Sequence, residues 1–324
     1  MKANAVFEGG GVRGLALVGG LCGAESQGFT WHKVAGTSAG AILAALVAAG
    51  YRGQEIKNLM ENVDLTRFKD PMLYGKLPLI GPMLSLLGGQ GLYKGDYFTQ
   101  WLRDKLAARG VYNFGDLWDR KAAARGEPNP RKLQVIAADI SRGKILVLPQ
   151  DIADFGIEPE NLEVAAAVRM SMSIPLFYRP VEWQYETSDE NQVSAYVVDG
   201  GILSNFPVWL FDNEGSGNPT FGFRLVGKGN QAKPRDIRGP VSLLTAVVYT
   251  MMDAHDRKVI EESDFARTIS IPTLGVGVTD FEISRQKKQA LFRSGYQAAT
   301  DFFRTWSYPA YREIYLQQGQ HKPK

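Results

Sequence analysis

The chain of 324 residues has one cysteine, Cys22, and three histidines, His32, His255 and His321. A single thiol forms no internal disulfide, so nothing demands an oxidising compartment. In its apolar helical stretch Cys22 reads as a small buried hydrophobe. With no His/Cys cluster there is no ligand set for a zinc-type centre, and neither metal nor cofactor is expected. No uninterrupted apolar run is long enough to span a membrane. The residues after Met1 pass straight into a strand pattern, without a signal peptide. Charge is nearly balanced, 37 basic against 34 acidic residues for a formal +3. That balance argues neither for nor against nucleic acid, and mild basicity suits an anionic surface. Repeats, low-complexity tracts and linkers are absent as well. The expectation is a soluble, cytoplasmic protein without a nucleic-acid partner.

What is present is apolar material, 44% of residues against 22% charged. That is enough for a large core, in one big α/β domain or two smaller ones. The chain is organised around Gly36-Thr37-Ser38-Ala39-Gly40. Residues 31–35 read as a short strand, and residues 41–49 are small, aliphatic and free of proline. Ser38 therefore sits at a strand-to-helix turn in G-x-S-x-G spacing. A serine there is held in a strained backbone with its hydroxyl projecting from the sheet. Helix N–H groups and the positive dipole end lie beside it. The same spacing also fits a capping serine at an alanine-rich helix start, and the motif alone leaves both readings open.

Residues 3–8 predict a first strand, ending in Gly9-Gly10-Gly11-Val12-Arg13-Gly14, with a helix over residues 15–27. Strand, glycine loop, helix, strand, turn and helix imply parallel strands. The loop fits the G-x-G-x-x-G dinucleotide fingerprint, which wants an acidic residue about 20 positions on. None lies between Ser26 and Ala49. The other use of consecutive glycines is to bare backbone N–H groups toward a developing oxyanion. Further along, residues 195–198 read as a buried strand running into Asp199-Gly200-Gly201. An acid in that position suits the site edge of a parallel sheet, or an ordinary Asp-Gly turn. Helices are expected over residues 54–63, 94–108, 161–172, 241–262 and 284–306.

A serine nucleophile needs a base. His32 precedes Ser38 by six residues at the far end of a strand, His255 lies within a helical pattern, and His321 lies near the C-terminus. None ends a strand near the serine. Asp199 remains, and a carboxylate accepts a serine proton directly where the site is dry enough to raise its basicity.

The block from Phe7 to Gly14, then Gly36-Thr37-Ser38-Ala39-Gly40, then Asp199-Gly200-Gly201, resembles the patatin-like phospholipase family in content and order. Between them Ala166-Ala167-Val168-Arg169-Met170-Ser171-Met172-Ser173-Ile174-Pro175 is similar to the family's A-S-x-x-x-P region, with Val168 where the family often has serine. The resemblance runs to about Trp306. It implies a three-layer α/β/α fold with a mainly parallel sheet, and calcium-independent hydrolysis of acyl esters, mainly phospholipids, by a Ser–Asp dyad. By position it makes Ser38 the nucleophile and Asp199 the general base. The backbone of Gly9, Gly10 and Gly11, with Val12 or Arg13 and the closing Gly14, becomes the oxyanion loop. Gly36, Thr37, Ala39 and Gly40 form the nucleophile elbow, and Gly200 and Gly201 complete the acidic motif.

The expected organisation is a hydrolase domain over residues 1–306, an apolar insertion at about 70–93, and a C-terminal tail over 307–324. Within the insertion, residues 72–87 are strongly apolar yet broken by Pro78 and Pro82, which suits a displaceable flap at a membrane surface. The expected function is a phospholipid acyl hydrolase acting through an acyl-enzyme, with peripheral membrane contact. A neutral-lipid lipase or transacylase on the same dyad, and an inactive lipid- or nucleotide-binding protein, are the alternatives.

Overall fold

Residues 5–7 form an unbroken apolar run in the strand pattern of residues 3–8, and such a segment is stable as a strand covered on both faces. The computed structural model places it there. It describes residues 1–70, 91–124, 126, 130–186, 191–212, 217–227, 236–257 and 266–319. The apolar residues 72–87, expected to form a flap, lie outside the described residues.

The strands are β1 (Lys2–Phe7), β2 (Thr30–Thr37), β3 (Leu133–Asp139), β4 (Lys144–Leu148), β5 (Val181–Glu186), β6 (Gln192–Asp199), β7 (Thr220–Val226) and β8 (Thr268–Pro272). They form one sheet in the order β5-β6-β3-β2-β1-β7-β8, with β4 paired to β3. The centre, β3-β2-β1-β7-β8, is parallel. Strands β4 and β6 run antiparallel to β3, and β5 antiparallel to β6. The flanking helices are α1 (Gly14–Ser26), α2 (Ala39–Ala48), α3 (Gly53–Asn62), α4 (Asp96–Ala107), α5 (Arg120–Ala124), α6 (Val164–Ser171), α7 (Pro240–Arg257), α8 (Arg285–Thr305) and α9 (Tyr308–Gly319). Among the described residues no helix is long and apolar enough to cross a membrane. The fold is the expected α/β architecture, a mainly parallel sheet flanked by helices.

Two expectations need correction. Asp199 does not end a parallel strand, because β6 enters the sheet against the direction of β3. What brings Asp199 to the serine is register. Thr37 on β2 stands opposite Ile136 of β3, and Asp199 on β6 stands opposite Ala137. The two flanking strands thus end one residue apart on either side of β3. The second correction concerns residues 307–324, expected as a tail. Residues 308–319 form α9, and Tyr311 is buried with its hydroxyl accepting the Thr220 N–H at 3.1 Å. A ring cluster of Trp306, Tyr308 and Tyr311 ties this helix to the body.

Helices α1 and α8 cross closely because glycine lies on both sides of the crossing. A β-carbon on Gly295 would fall 1.8 Å from the Ala16 carbonyl oxygen, and one on Gly19 would fall 2.0 Å from that of Phe292. Backbone cannot retreat as a flexible side chain does. Gly295→Val is therefore expected to lower unfolding free energy by about 3 kcal/mol through overpacking. A chemical denaturation curve checks this, with Arg293→Ala on the exposed side as the mild comparison.

Candidate active site

Ser38 joins β2 to α2 with φ 54° and ψ −123°. A serine gains nothing from positive φ, so the surrounding structure must impose it. Three contacts do so. The Ser38 N–H donates to the Ser171 hydroxyl oxygen at 2.9 Å, and that hydroxyl donates to the Ile136 carbonyl at 2.5 Å. A β-carbon on Gly36 would lie 2.3 Å from the Gly40 carbonyl oxygen, and one on Gly40 would lie 2.2 Å from that of Phe7. The two glycines of G-x-S-x-G are thus explained by proximity. They let α2 settle directly on β1 and β2. Thr37 contributes a hydroxyl that donates to the Ser204 carbonyl at 3.1 Å.

The glycine loop lies against this turn, since a β-carbon on Gly9 would sit 3.3 Å from the Ser38 Cβ. Its amides are not equivalent. The Gly9 N–H donates to the Asn205 carbonyl, the Val12 N–H to that of Val278, and the Arg13 N–H to that of Gly10. The Gly14 N–H turns back on the Gly11 and Val12 carbonyls. Among the described residues the Gly10 and Gly11 N–H groups meet no protein acceptor. The Ala39 N–H, first in α2, also has none, as expected at a helix start. Of the amides expected as donors from Gly9 through Arg13, those of Gly10 and Gly11 are the ones left without a protein acceptor, and the elbow adds that of Ala39. Gly11 has φ 53°, and a β-carbon there would lie 2.1 Å from the Val278 carbonyl oxygen. Arg13 braces the loop internally, its Nε donating to the Gly10 carbonyl at 3.3 Å.

Asp199 is fully buried. Its Oδ1 accepts the Gly201 N–H at 2.8 Å, while Oδ2 has no hydrogen bond of ordinary length. Burial pushes the carboxyl up to about 7, opposed by the Ser38 hydroxyl and the Gly201 amide. The serine contact is thus a loose approach, of the kind that tightens when substrate binds. A carboxyl near 7 is half ionised at neutral pH, the condition under which a carboxylate is a competent base. Asn205 ties this turn to the glycine loop. Its Nδ2 donates to the Gly9 carbonyl at 3.3 Å, and its backbone carbonyl accepts from Gly9 in return.

Sequence reasoning missed Asn205 and the bracing role of Ser171. Asn205 carries no local signature. Ser171 stood inside a quoted block, but its bond to the elbow spans 133 residues. Of the histidines, His32 lies on β2, six positions before Ser38, which is about 20 Å along an extended strand. The side chain of His255 and the whole of His321 lie outside the described residues. Among the described residues no group of three His, Cys, Asp or Glu side chains gathers as a ligand set.

Ser38 opens onto a cavity lined almost wholly by apolar side chains. Gly11, Val12 and Ala39 line the serine end, Ile42 and Leu46 of α2 run along the wall, and Ile56 and Met60 of α3 lie farther along. From Ser38 to Leu46 the helix advances about 12 Å. The lining offers no charged side chain, so it suits hydrocarbon.

The raised Asp199 carboxyl has a consequence for stability. Its folded value of about 7 lies above the 3.8 of a free aspartate. Between those values the folded protein keeps a proton that the unfolded chain has released. The contribution of this residue to stability therefore falls as pH rises, and is lowest above about 7. Asparagine imitates the protonated form. Asp199→Asn is expected to stabilise the protein by roughly 2–4 kcal/mol above about pH 8, with the gain vanishing toward about pH 4. Melting temperatures of the two proteins across that range check the sign.

The patatin-like phospholipase family matches residues 5–212, which carry the glycine loop, the serine elbow and Asp199. An uncharacterised protein of Bacillus subtilis strain 168, YqhO, is 40% identical over 309 residues, covering 95% of this chain and all of that protein. A probable lipid hydrolase of Invertebrate iridescent virus 6 is 24% identical over 205 residues, 63% of this chain and 61% of the viral protein. Among solved structures, VipD from Legionella pneumophila shares the fold with a TM-score of 0.52 at 17% identity, covering 94% of this chain and 67% of VipD. The chain belongs to the patatin-like phospholipase family.

Proposed function

We propose that this protein is a serine acyl hydrolase of phospholipase A type, cleaving acyl esters of membrane glycerophospholipids through Ser38 and Asp199. One observation carries the reading. The hydroxyl of a strained serine approaches a fully buried carboxyl of raised pKa, at the mouth of a cavity lined by hydrocarbon.

In the proposed cycle the ionised Asp199 takes the Ser38 proton as Oγ attacks the acyl carbonyl carbon. The resulting oxyanion is held by the N–H groups of Gly10, Gly11 and Ala39. Collapse breaks the bond to the glycerol oxygen, and Asp199 returns its proton to that leaving alcohol. Water then attacks the acyl-enzyme, giving a proton to Asp199. A second collapse frees the fatty acid and restores the proton to Oγ. The acyl chain lies along α2 throughout, screened from water. A peripheral position on a membrane follows from such a substrate.

The test uses a defined mixture of diacyl phospholipids and triacylglycerol, with products identified by mass spectrometry. Wild type is expected to release fatty acid and lysophospholipid, while Ser38→Ala and Asp199→Asn each lose at least about 10⁴-fold in kcat. Because the base must be ionised, kcat/KM should rise through about pH 7 on its acid limb. Release from triacylglycerol alone would replace the phospholipid reading with a neutral-lipid one. Full activity in Asp199→Asn would remove the dyad.

A further inference from the structure

Most surface helices present charge to water along their length, and the stretch of α7 up to Met252 does not. From Ser242 to Met252 it contains no Asp, Glu, Lys or Arg. Its two sides are both apolar. Ala246 and Met252 are buried, with Val248 packed beside them, whereas Leu243, Leu244, Val247 and Met251 are between 41% and 53% exposed. The spacing of the exposed four, i, i+1, i+4 and i+8, makes one stripe. A helix that is apolar all round is normally covered.

Its inner face rests on the active-site turn. Met252 packs with Val198 and Ile202 on either side of Asp199, and its Cε would lie 3.2 Å from a β-carbon on Gly201. The Tyr249 hydroxyl donates to Thr279 Oγ1 at 3.2 Å. The segment so anchored also holds Val278, whose carbonyl accepts the Val12 N–H, and Phe281, which lines the cavity. The helix is thus continuous with the rim through which a lipid would enter.

We infer that the outer face of α7 is the surface by which the protein seats on a phospholipid bilayer, presenting the cavity rim to the lipid. This rests on the proposed lipid substrate. Three observations select a bilayer as occupant. The stripe bears no cation, so a nucleic acid or an acidic protein has nothing to grip. Arg238, just before the helix, is paired to Asp236 at 2.6 Å. Four half-exposed side chains on one helix fall well short of the ~800 Å² per partner of a stable protein interface. An interfacial helix needs no more than a shallow apolar face sunk into the acyl boundary. The face acts as a float: apolar burial holds it at the surface, and the attached segment 276–281 brings the rim with it.

The experiment measures binding without turnover. Protein carrying Ser38→Ala is sedimented with phosphatidylcholine vesicles, alone and with Leu244→Asp and Val247→Asp added. The double change is expected to weaken partitioning at least tenfold, on the order of the apolar burial lost from two side chains. Tyr112→Ser, an exposed apolar residue elsewhere, should leave it unchanged. In the Ser38 enzyme the double variant should keep its rate on a soluble short-chain ester and lose its rate on vesicles. Unchanged vesicle binding by the double variant would overturn the inference. So would failure of the Ser38→Ala protein to bind vesicles at all. Loss of short-ester turnover in step with vesicle turnover would make the face part of the fold instead. A wild-type dimer that the double change dissociates, with vesicle binding intact, would name a second copy as the occupant. An enzyme that binds vesicles through this face but cleaves no lipid would sink the proposed activity and leave the docking surface standing.

Discussion

The structure depends on keeping one carboxyl group dry. Asp199 is fully buried, and the influences on its titration are burial, a serine hydroxyl and a backbone amide, with no basic side chain among them. An acid so placed destabilises the fold whenever it ionises. Folds tolerate such a group where function requires it, and its retention beside Ser38 is the physical core of the proposed chemistry. A histidine would be superfluous there: at a value of about 7 the carboxyl covers the titration range that imidazole usually serves.

The rest of the site is arranged around that group by backbone. Strands β2 and β6 flank β3 and end at adjacent register positions, so serine and aspartate meet over the strand between them. Asn205 locks the glycine loop to the Asp199 turn, and Ser171 holds the strained Ser38 amide. Gly36 and Gly40 remove the side chains that would keep α2 off the sheet. Each of these contacts fixes a stretch of main chain, and a preorganised set of N–H donors derives its strength from such rigidity.

The elbow, the glycine loop and the Asp-Gly-Gly motif were legible in the sequence because each is a local solution to a local constraint. Gly11 needs positive φ, and Gly40 needs close approach, so the residue type reports the geometry. The direction of β6 was not legible. An acid at a strand end reads alike whichever way the strand enters the sheet, and pairing with β3 involves residues some 60 positions away. The β5 partner strand was hidden by its polar alternation, Val181, Trp183 and Tyr185 inward against Glu182, Gln184 and Glu186, with polar sequence after it. Helix α9 was lost in a polar C-terminus, since a single aromatic residue, Tyr311, supplies its buried anchor. Which glycine-loop amides are spoken for was equally invisible, because their acceptors, Asn205 and Val278, come from distant chain.

The central claim is that a buried carboxylate, and no histidine, activates Ser38. The most direct measurement is the rate at which a fluorophosphonate modifies the protein, followed by intact mass with the modified residue mapped. It is made across pH on wild type and on a variant with His32, His255 and His321 all changed to Gln. The account predicts one adduct, on Ser38, forming at the same rate in both proteins and faster as pH rises through about 7. Loss of labelling in the folded histidine-free variant, or labelling that persists unchanged in Asp199→Asn, would contradict it.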